Sequence, residues 1–221
     1  FFVAEVAQAQ GKDHRDLLLE LLGADRRIDP VKMGDPWNHG ESPERYPIDT
    51  GRLRKVIERV TQEARWGRKM PAGQGLGLAA HYSFVSYFAA VIEVQVDAKG
   101  ALTIPRIDVA LDCGPMVNPD RVRAQVEGAC VMGISQAVVS EITFKNGRAE
   151  QDNFHQFEVA RMDLAPKKIV VHILPSAYDV PLGGIGEPGV PVIAPALMNA
   201  IAAATGKRIR QLPLRAQLAP A

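Results

Sequence analysis

Apolar residues recur along this chain with two periods, and the switches between them predict a mixture of helices and strands. Val3, Val6, Leu17, Leu18, Leu21 and Leu22 form a helical pattern that breaks near Gly11 into two parts and ends at Gly23, a suitable C-terminal cap. Residues 24–46 are rich in Asp, Pro, Gly and charge, which predicts a long irregular surface connection. Asp49 or Thr50 then caps a helix running to about Trp66, with Leu53, Val56, Ile57 and Val60 on one apolar stripe. Residues 75–96 and 103–111 are apolar, aromatic and β-branched, and read as strands joined across Asp97-Ala98-Lys99-Gly100. Val91, Val94 and Val96 do not alternate strictly, so the sheet is expected to be covered on both faces.

In Asn118-Pro119 the Asn caps a helix and the Pro occupies its first position, and the pattern that follows runs to about Val139. Asn146-Gly147 predicts a hairpin within residues 141–150, residues 168–174 supply another strand, and residues 192–204 form an Ala-rich helix closed by Gly206. Residues 207–212 read as a short returning strand. The fold class is α+β with mixed sheet, divided into a helical segment with a long loop at 1–70 and an α+β core at 71–221.

With 221 residues, 47% of them hydrophobic and 23% charged, the chain can build a substantial core. Lys and Arg number 26 against 25 Asp and Glu, a net charge of +1, which gives no electrostatic case for nucleic acid or an anionic membrane. No apolar run reaches the roughly 20 residues of a membrane-spanning helix, and the first residues lack the pattern of a signal peptide. The chain starts at Phe1 without Met, so the expectation is a fragment or processed chain. Cys113 and Cys130 cannot supply the four thiolates of an iron–sulfur cluster and read as buried small hydrophobes. The five histidines lack metal-ligand spacing, and no zinc site is expected.

Gly73-Gln74-Gly75-Leu76-Gly77-Leu78-Ala79 looks like a phosphate loop, but Leu78 stands where the third glycine of GxGxxG is required. A tight strand entry or a simple turn is the better reading. Gly128 and Gly133, inside a helix, imply close packing against a cofactor or another helix. Phe154, His155 and Arg161 read as packing and surface residues, and Glu93 and Glu127 as surface carboxylates.

Between the last strand and the Ala-rich helix lies Pro181-Leu182-Gly183-Gly184-Ile185-Gly186-Glu187-Pro188-Gly189-Val190-Pro191. Its glycines allow close backbone approach, and Pro188 biases Glu187 to an extended conformation. The bland alternative is a Gly/Pro turn carrying a solvated Glu.

The run Gly184-Ile185-Gly186-Glu187-Pro188, with Pro195-Ala196-Leu197, Asn199-Ala200-Ile201, Ala204-Thr205-Gly206 and Arg210-Gln211-Leu212-Pro213-Leu214, resembles the C-terminus of molybdopterin-binding subunits of the xanthine dehydrogenase/aldehyde oxidase family. Upstream, Asp112-Cys113-Gly114, Val117-Asn118-Pro119 and Gln125-Val126-Glu127-Gly128 look like the same family's segment beside the cofactor. Asn153-Phe154-His155, Arg161-Met162 and the Gly-Glu-Pro-Gly-Val-Pro form are most similar to isoquinoline 1-oxidoreductase β-subunits and related membrane-associated aldehyde dehydrogenases.

The resemblance implies the fold of that family's C-terminal molybdenum-cofactor-binding domain. It also implies hydroxylation of an aldehyde or an N-heteroaromatic carbon, with water as the oxygen source. Such a reaction needs a general base within hydrogen-bond reach of the attacking oxygen, and Glu187 matches the family's catalytic Glu. Gln125, Gly184, Ile185 and Gly186 are implied at the cofactor, a molybdopterin with Mo in its cytosine dinucleotide form. The rest of the molybdopterin-binding subunit and the iron–sulfur clusters are expected on other chains or domains, in a soluble complex of the bacterial cytoplasm or periplasm. The alternative is a non-catalytic cofactor-binding or assembly module that retains the fold.

Overall fold

A computed structural model of the chain describes residues 1–35 and 42–219, so the middle of the expected 24–46 connection lies outside the described residues. Helix α1 (Phe2–Ala9) and helix α2 (His14–Leu22) are the two halves of the first helical pattern. Gly11 turns the chain between them at φ 64°, and the Asp13 carboxylate caps α2 by accepting from the Arg15 and Asp16 amides. Strand β1 (Arg27–Ile28) pairs antiparallel with β2 (Ile48–Asp49), a ribbon that the sequence pattern does not announce. Helix α3 (Thr50–Glu63) follows, capped by Asp49, which accepts from Gly51 and Arg52. Its Val56, Ile57 and Val60 are fully buried, at roughly 1.5–3 kcal/mol each.

Strands β3 (Gln74–Ser83), β4 (Ser86–Val96) and β5 (Leu102–Asp112) form an antiparallel meander. Helix α4 (Pro119–Val138), capped by Asn118, then leads through the small hairpin β6 (Phe144–Lys145) and β7 (Arg148–Ala149) to β8 (Ile169–Ile173). Strand β8 lies parallel to β5, so the sheet order is β3-β4-β5-β8 and the sheet is mixed. Helix α5 (Ile193–Thr205) is closed by Gly206 in the left-handed conformation.

Both faces of the sheet are covered, as expected. Helix α3 packs on Leu76, Leu78, Tyr87, Ala89, Val91 and Ala110. On the other face, Phe88, Ala90, Ile92, Val109 and Leu111 meet α4 and α5 through Val126, Cys130, Ile134, Ala196, Leu197 and Ala200. The glycines of the phosphate-loop lookalike belong to this second layer. A Cβ on Gly75 or Gly77 would collide with the backbone of α5 at Ala200 or Ala196, so the spacing Gly-x-Gly seats a helix against a strand. Asn199 ties the contact by donating from Nδ2 to the Leu78 carbonyl at 3.0 Å.

One expectation needs correction and another divides. Residues 207–212 form no strand: Arg210 pairs with Glu5 on α1 at 2.8 Å, Arg208 reaches Gln8, and Pro213 lacks the donor that a ladder would use. Gly133 is close-packed, since a Cβ there would lie 2.5 Å from the Ile193 Cβ, but Gly128 has nothing within 4 Å. The helix crossing thus accounts for Gly133, and no part of this chain packs on Gly128 among the described residues.

Candidate functional site

The turn between β3 and β4 consists of Phe84 and Val85 alone, with φ 49° and 63°. Left-handed backbone at an aromatic and a β-branched residue costs on the order of 1–3 kcal/mol each, so surrounding contacts must hold it. The loop after β8 supplies them. The Gly184 amide donates to the Phe84 carbonyl at 2.7 Å, and the Ser86 hydroxyl donates back to the Gly184 carbonyl at 2.6 Å. The Gly183 amide donates to the Cys113 carbonyl at 2.9 Å, which fixes the loop to the end of β5 as well. No larger residue fits at Gly184, where a Cβ would stand 2.8 Å from the Phe84 Cβ.

The end of β5 is itself anchored. Arg52 on α3 grips Asp112 through both oxygens, Nε to Oδ2 at 2.7 Å and Nη2 to Oδ1 at 2.6 Å, in a largely buried pair. The same guanidinium lies 4.5 Å from the centre of the Tyr87 ring. Burial pushes the Tyr87 phenol up to about 12, and its oxygen accepts from the Asp49 amide at 2.7 Å. Asp112 also accepts from the Gly114 amide at 3.1 Å, and Gly114, at φ 73°, passes so close to the Pro181 carbonyl that no Cβ fits. The loop therefore hangs on a chain of contacts running from α3 through β5.

Within this frame Glu187 is exposed, beside a cleft of about 190 Å³ lined by Phe84, Gly184, Gly186 and Pro188. Pro188 and Gly189 are buried, and a Cβ on Gly189 would press on Ala129 of α4 at 2.9 Å. Gln125, on α4, comes to the same place: a Cβ built on Gly186 would lie 3.9 Å from Gln125 Nε2. Ile185 points the other way and packs on the core, so its side chain supports the loop while its neighbours face outward. Gln125, Gly184, Gly186 and Glu187 thus converge, although more than fifty residues separate the first from the rest. Phe154 and His155 form a separate short 3-10 turn in which Phe154 is exposed.

Glu127 is exposed on α4, as a surface carboxylate would be, while Glu93, Asp108 and the thiols are otherwise occupied. Glu93 pairs with Arg68. Asp108 is 2% exposed, gripped by Arg106 at 2.6 and 2.7 Å and approached by His172 Nε2 at 2.8 Å. Burial alone would raise its pKa, but the hydrogen bonds from Arg106 and His172 outweigh it and hold the carboxyl below its ordinary value. Cys113 and Cys130 are free and buried; burial pushes the Cys130 thiol up to about 12 and raises that of Cys113, which suits packing residues. The turn at 84–85 and the Arg52–Asp112 anchor escaped the sequence reading. Neither turn residue is Gly, Asn, Asp or Pro, and nothing local signals a pair sixty positions apart.

Residues 52–166 match the model of the molybdopterin cofactor-binding domain. The chain belongs to that family. Among curated proteins it is similar to the membrane-bound aldehyde dehydrogenase (pyrroloquinoline-quinone) of Gluconacetobacter polyoxogenes, 32% identical over 97% of this chain and 27% of that protein. It is also similar to the isoquinoline 1-oxidoreductase subunit beta of Brevundimonas diminuta, 33% identical over 74% of this chain and 21% of that subunit. The chain therefore spans about a quarter of the length of these relatives. Among solved structures it shares the fold of quinoline 2-oxidoreductase from Pseudomonas putida 86, with a TM-score of 0.54 and 20% identity over 60% of this chain and 18% of that one. The expected family and the α+β fold with mixed sheet both hold. No described helix is long and apolar enough to cross a membrane.

Proposed function

We propose that this chain is the C-terminal, cofactor-facing part of a molybdenum hydroxylase acting on an aldehyde or an N-heteroaromatic compound, with Glu187 as general base. The observation that carries this reading is that the Gln125 amide stands beside the open backbone of Gly186, next to the cleft that Gly184, Gly186 and Glu187 line.

The residues present fit a pterin cofactor. An amide that both donates and accepts suits the edge of a heterocycle, and Gly186 leaves the backbone reachable beside it. Gln125 and the backbone of 184–186 would hold the group. When bound, it supplies a Lewis-acidic metal that acidifies water and accepts two electrons. Glu187 then does what a held carboxylate can: it takes the proton from the attacking oxygen while the loop fixes the direction of approach. Pinning to Phe84, Ser86 and Cys113 fixes the backbone of the loop that leads to Glu187, and the Arg52–Asp112 pair keeps the end of β5 in place.

The exposure of Glu187 and Gln125 supports a reading in which further protein closes the site. In this reading the remaining molybdopterin-binding portion covers the cleft, the cofactor is the cytosine dinucleotide form, and a partner chain carries the iron–sulfur clusters. The test is Glu187→Gln in the complete assembly, with molybdenum and nucleotide content measured alongside turnover. Turnover falls by roughly 10²–10⁴-fold at unchanged cofactor content if the reading holds. Full activity in an assembly without molybdenum, or activity of the Gln variant within a few-fold of wild type, overturns it and leaves the non-catalytic module.

A further inference from the structure

Ser86 is fully buried and opens β4 directly after the left-handed pair Phe84-Val85. Its hydroxyl donates to the Gly184 carbonyl at 2.6 Å, and the Gly184 amide donates to the Phe84 carbonyl at 2.7 Å, so one loop residue is held through both of its backbone groups. The fit around that hydroxyl is close, since a Cβ on Gly183 would stand 2.2 Å from the Ser86 Oγ. Two residues along β4, on the same face of the sheet, Phe88 is also fully buried, and a Cβ on Gly189 would stand 3.4 Å from its ring. One strand therefore supports the loop at two points, and Glu187 lies between them. The Glu187 carbonyl accepts from the Val190 amide at 3.0 Å, and Ile185 packs on the core. The backbone that carries the carboxylate thus has one end on the Ser86 hydroxyl and the other over Phe88. Left-handed backbone at residues that are neither Gly nor Asn is strain upheld by its surroundings, and such strain concentrates at functional sites.

We propose that Ser86 is a positioning residue for the reaction: through Gly184 it sets the point from which the Glu187 side chain reaches the attacking oxygen, and so governs kcat and not the binding of cofactor or substrate. The inference rests on the assignment of Glu187 as the base. A hydroxyl anchors the loop carbonyl without bringing a charge to the carboxylate, and a base must stand within hydrogen-bond reach of the proton it takes. Misplacement by about 1 Å costs on the order of 10²-fold in rate.

The test compares the complete assembled enzyme as wild type, Ser86→Ala, Glu187→Gln and the double variant, with Val56→Ala as a core substitution on the opposite face of the sheet. Hydrogen exchange across residues 181–191, molybdenum content, kcat and KM are measured, with benzaldehyde or isoquinoline as substrate, whichever the wild type oxidises faster. Ser86→Ala speeds exchange in that segment by about tenfold or more and lowers kcat by about tenfold or more. Its KM changes by less than about threefold, and its molybdenum content is unchanged. Val56→Ala lowers the unfolding midpoint with neither effect. The double variant has the kcat of Glu187→Gln alone, because a latch that acts through Glu187 has nothing left to position. If Ser86→Ala does not assemble, Ser86→Cys, which keeps the size and leaves a weak donor, carries the same comparison with a kcat below wild type. Losses that multiply in the double variant, faster exchange with unchanged kcat, loss of molybdenum in Ser86→Ala, or an equal kcat loss in Val56→Ala overturns the proposal. Failure of the base assignment is read separately: Glu187→Gln then turns over within a few-fold of wild type, whereas failure of the positioning role alone leaves Glu187→Gln impaired and Ser86→Ala near wild type.

Discussion

Asp108 lies buried in β5 with Arg106 on both oxygens and His172 against one of them, whereas Glu187 stands exposed on a glycine-rich loop with no hydrogen bond to its carboxylate among the described residues. Both are single carboxylates in one fold, yet their surroundings are opposite. Around Asp108 the side chains neutralise the charge. Around Glu187 the hydrogen bonds fix only the backbone, and the carboxylate is left free for something outside the chain. An unclaimed carboxylate on an anchored loop is what the proposed proton transfer would use, and full pairing is the arrangement that a buried charge needs.

The contrast breaks if the two substitutions fail to separate rate from stability. Glu187→Gln in the complete enzyme is expected to lower turnover by about 10²–10⁴-fold, while the unfolding midpoint of the chain moves by the equivalent of about 0.5 kcal/mol or less. Asp108→Ala is expected to do the reverse. Because Arg106 stays partly exposed and can be hydrated, the cost is about 1–3 kcal/mol, visible as a lower urea midpoint with little change in turnover of the enzyme that remains folded.

A pH series sharpens the same point. The folded-state pKa of Asp108 is depressed below its reference value of 3.8, so its contribution is fully present above the unfolded pKa and is lost as pH falls through the folded one. Urea midpoints measured from pH 7 downward should therefore differ between wild type and Asp108→Ala by an amount that is constant at higher pH and shrinks only below about pH 4. An unchanged acid profile in the variant counts against the pairing.

Glycines give the comparison at smaller scale. Gly77→Ala forces a methyl group into the α5 backbone and should destabilise by about 1–3 kcal/mol. Gly128→Ala adds a methyl group in open space on an exposed helix and should stabilise the chain by about 0.5–1 kcal/mol in thermal unfolding. If Gly128→Ala destabilises instead, the surface beside Gln125 is not open in the chain.

Much of this was legible in the sequence because the information is local. Asp49, Asn118 and Gly206 mark helix ends by side-chain or backbone chemistry that acts within one turn, and Asn146-Gly147 marks its hairpin in the same way. Glu187 was legible as a candidate through the surrounding motifs that resemble the molybdopterin-binding family, since its flanking glycines and Pro188 alone fit a plain turn equally well. Long-range causes were not. Gly75 and Gly77 look like a ligand loop until α5, more than a hundred residues later, is seen to occupy the space their missing side chains leave. The Phe84-Val85 turn is invisible to turn chemistry, since its conformation is imposed by Gly184 and Ser86 and not by the turn residues themselves. Arg52 and Asp112 each look like ordinary charges until the fold joins them.

The parallel seating of β8 against β5 also orders events in time. Strands β3, β4 and β5 meet their neighbours through short connections, so the meander can assemble from contacts close in the chain. Strand β8 reaches β5 only after the whole stretch bearing α4 has been traversed, and closing so long a segment carries an entropic cost that the meander does not meet. The Glu187 loop follows β8 directly and is pinned to both the β3–β4 turn and the end of β5. The cleft is therefore complete only once β8 is seated, because all of its walls but Phe84 follow that strand in the chain.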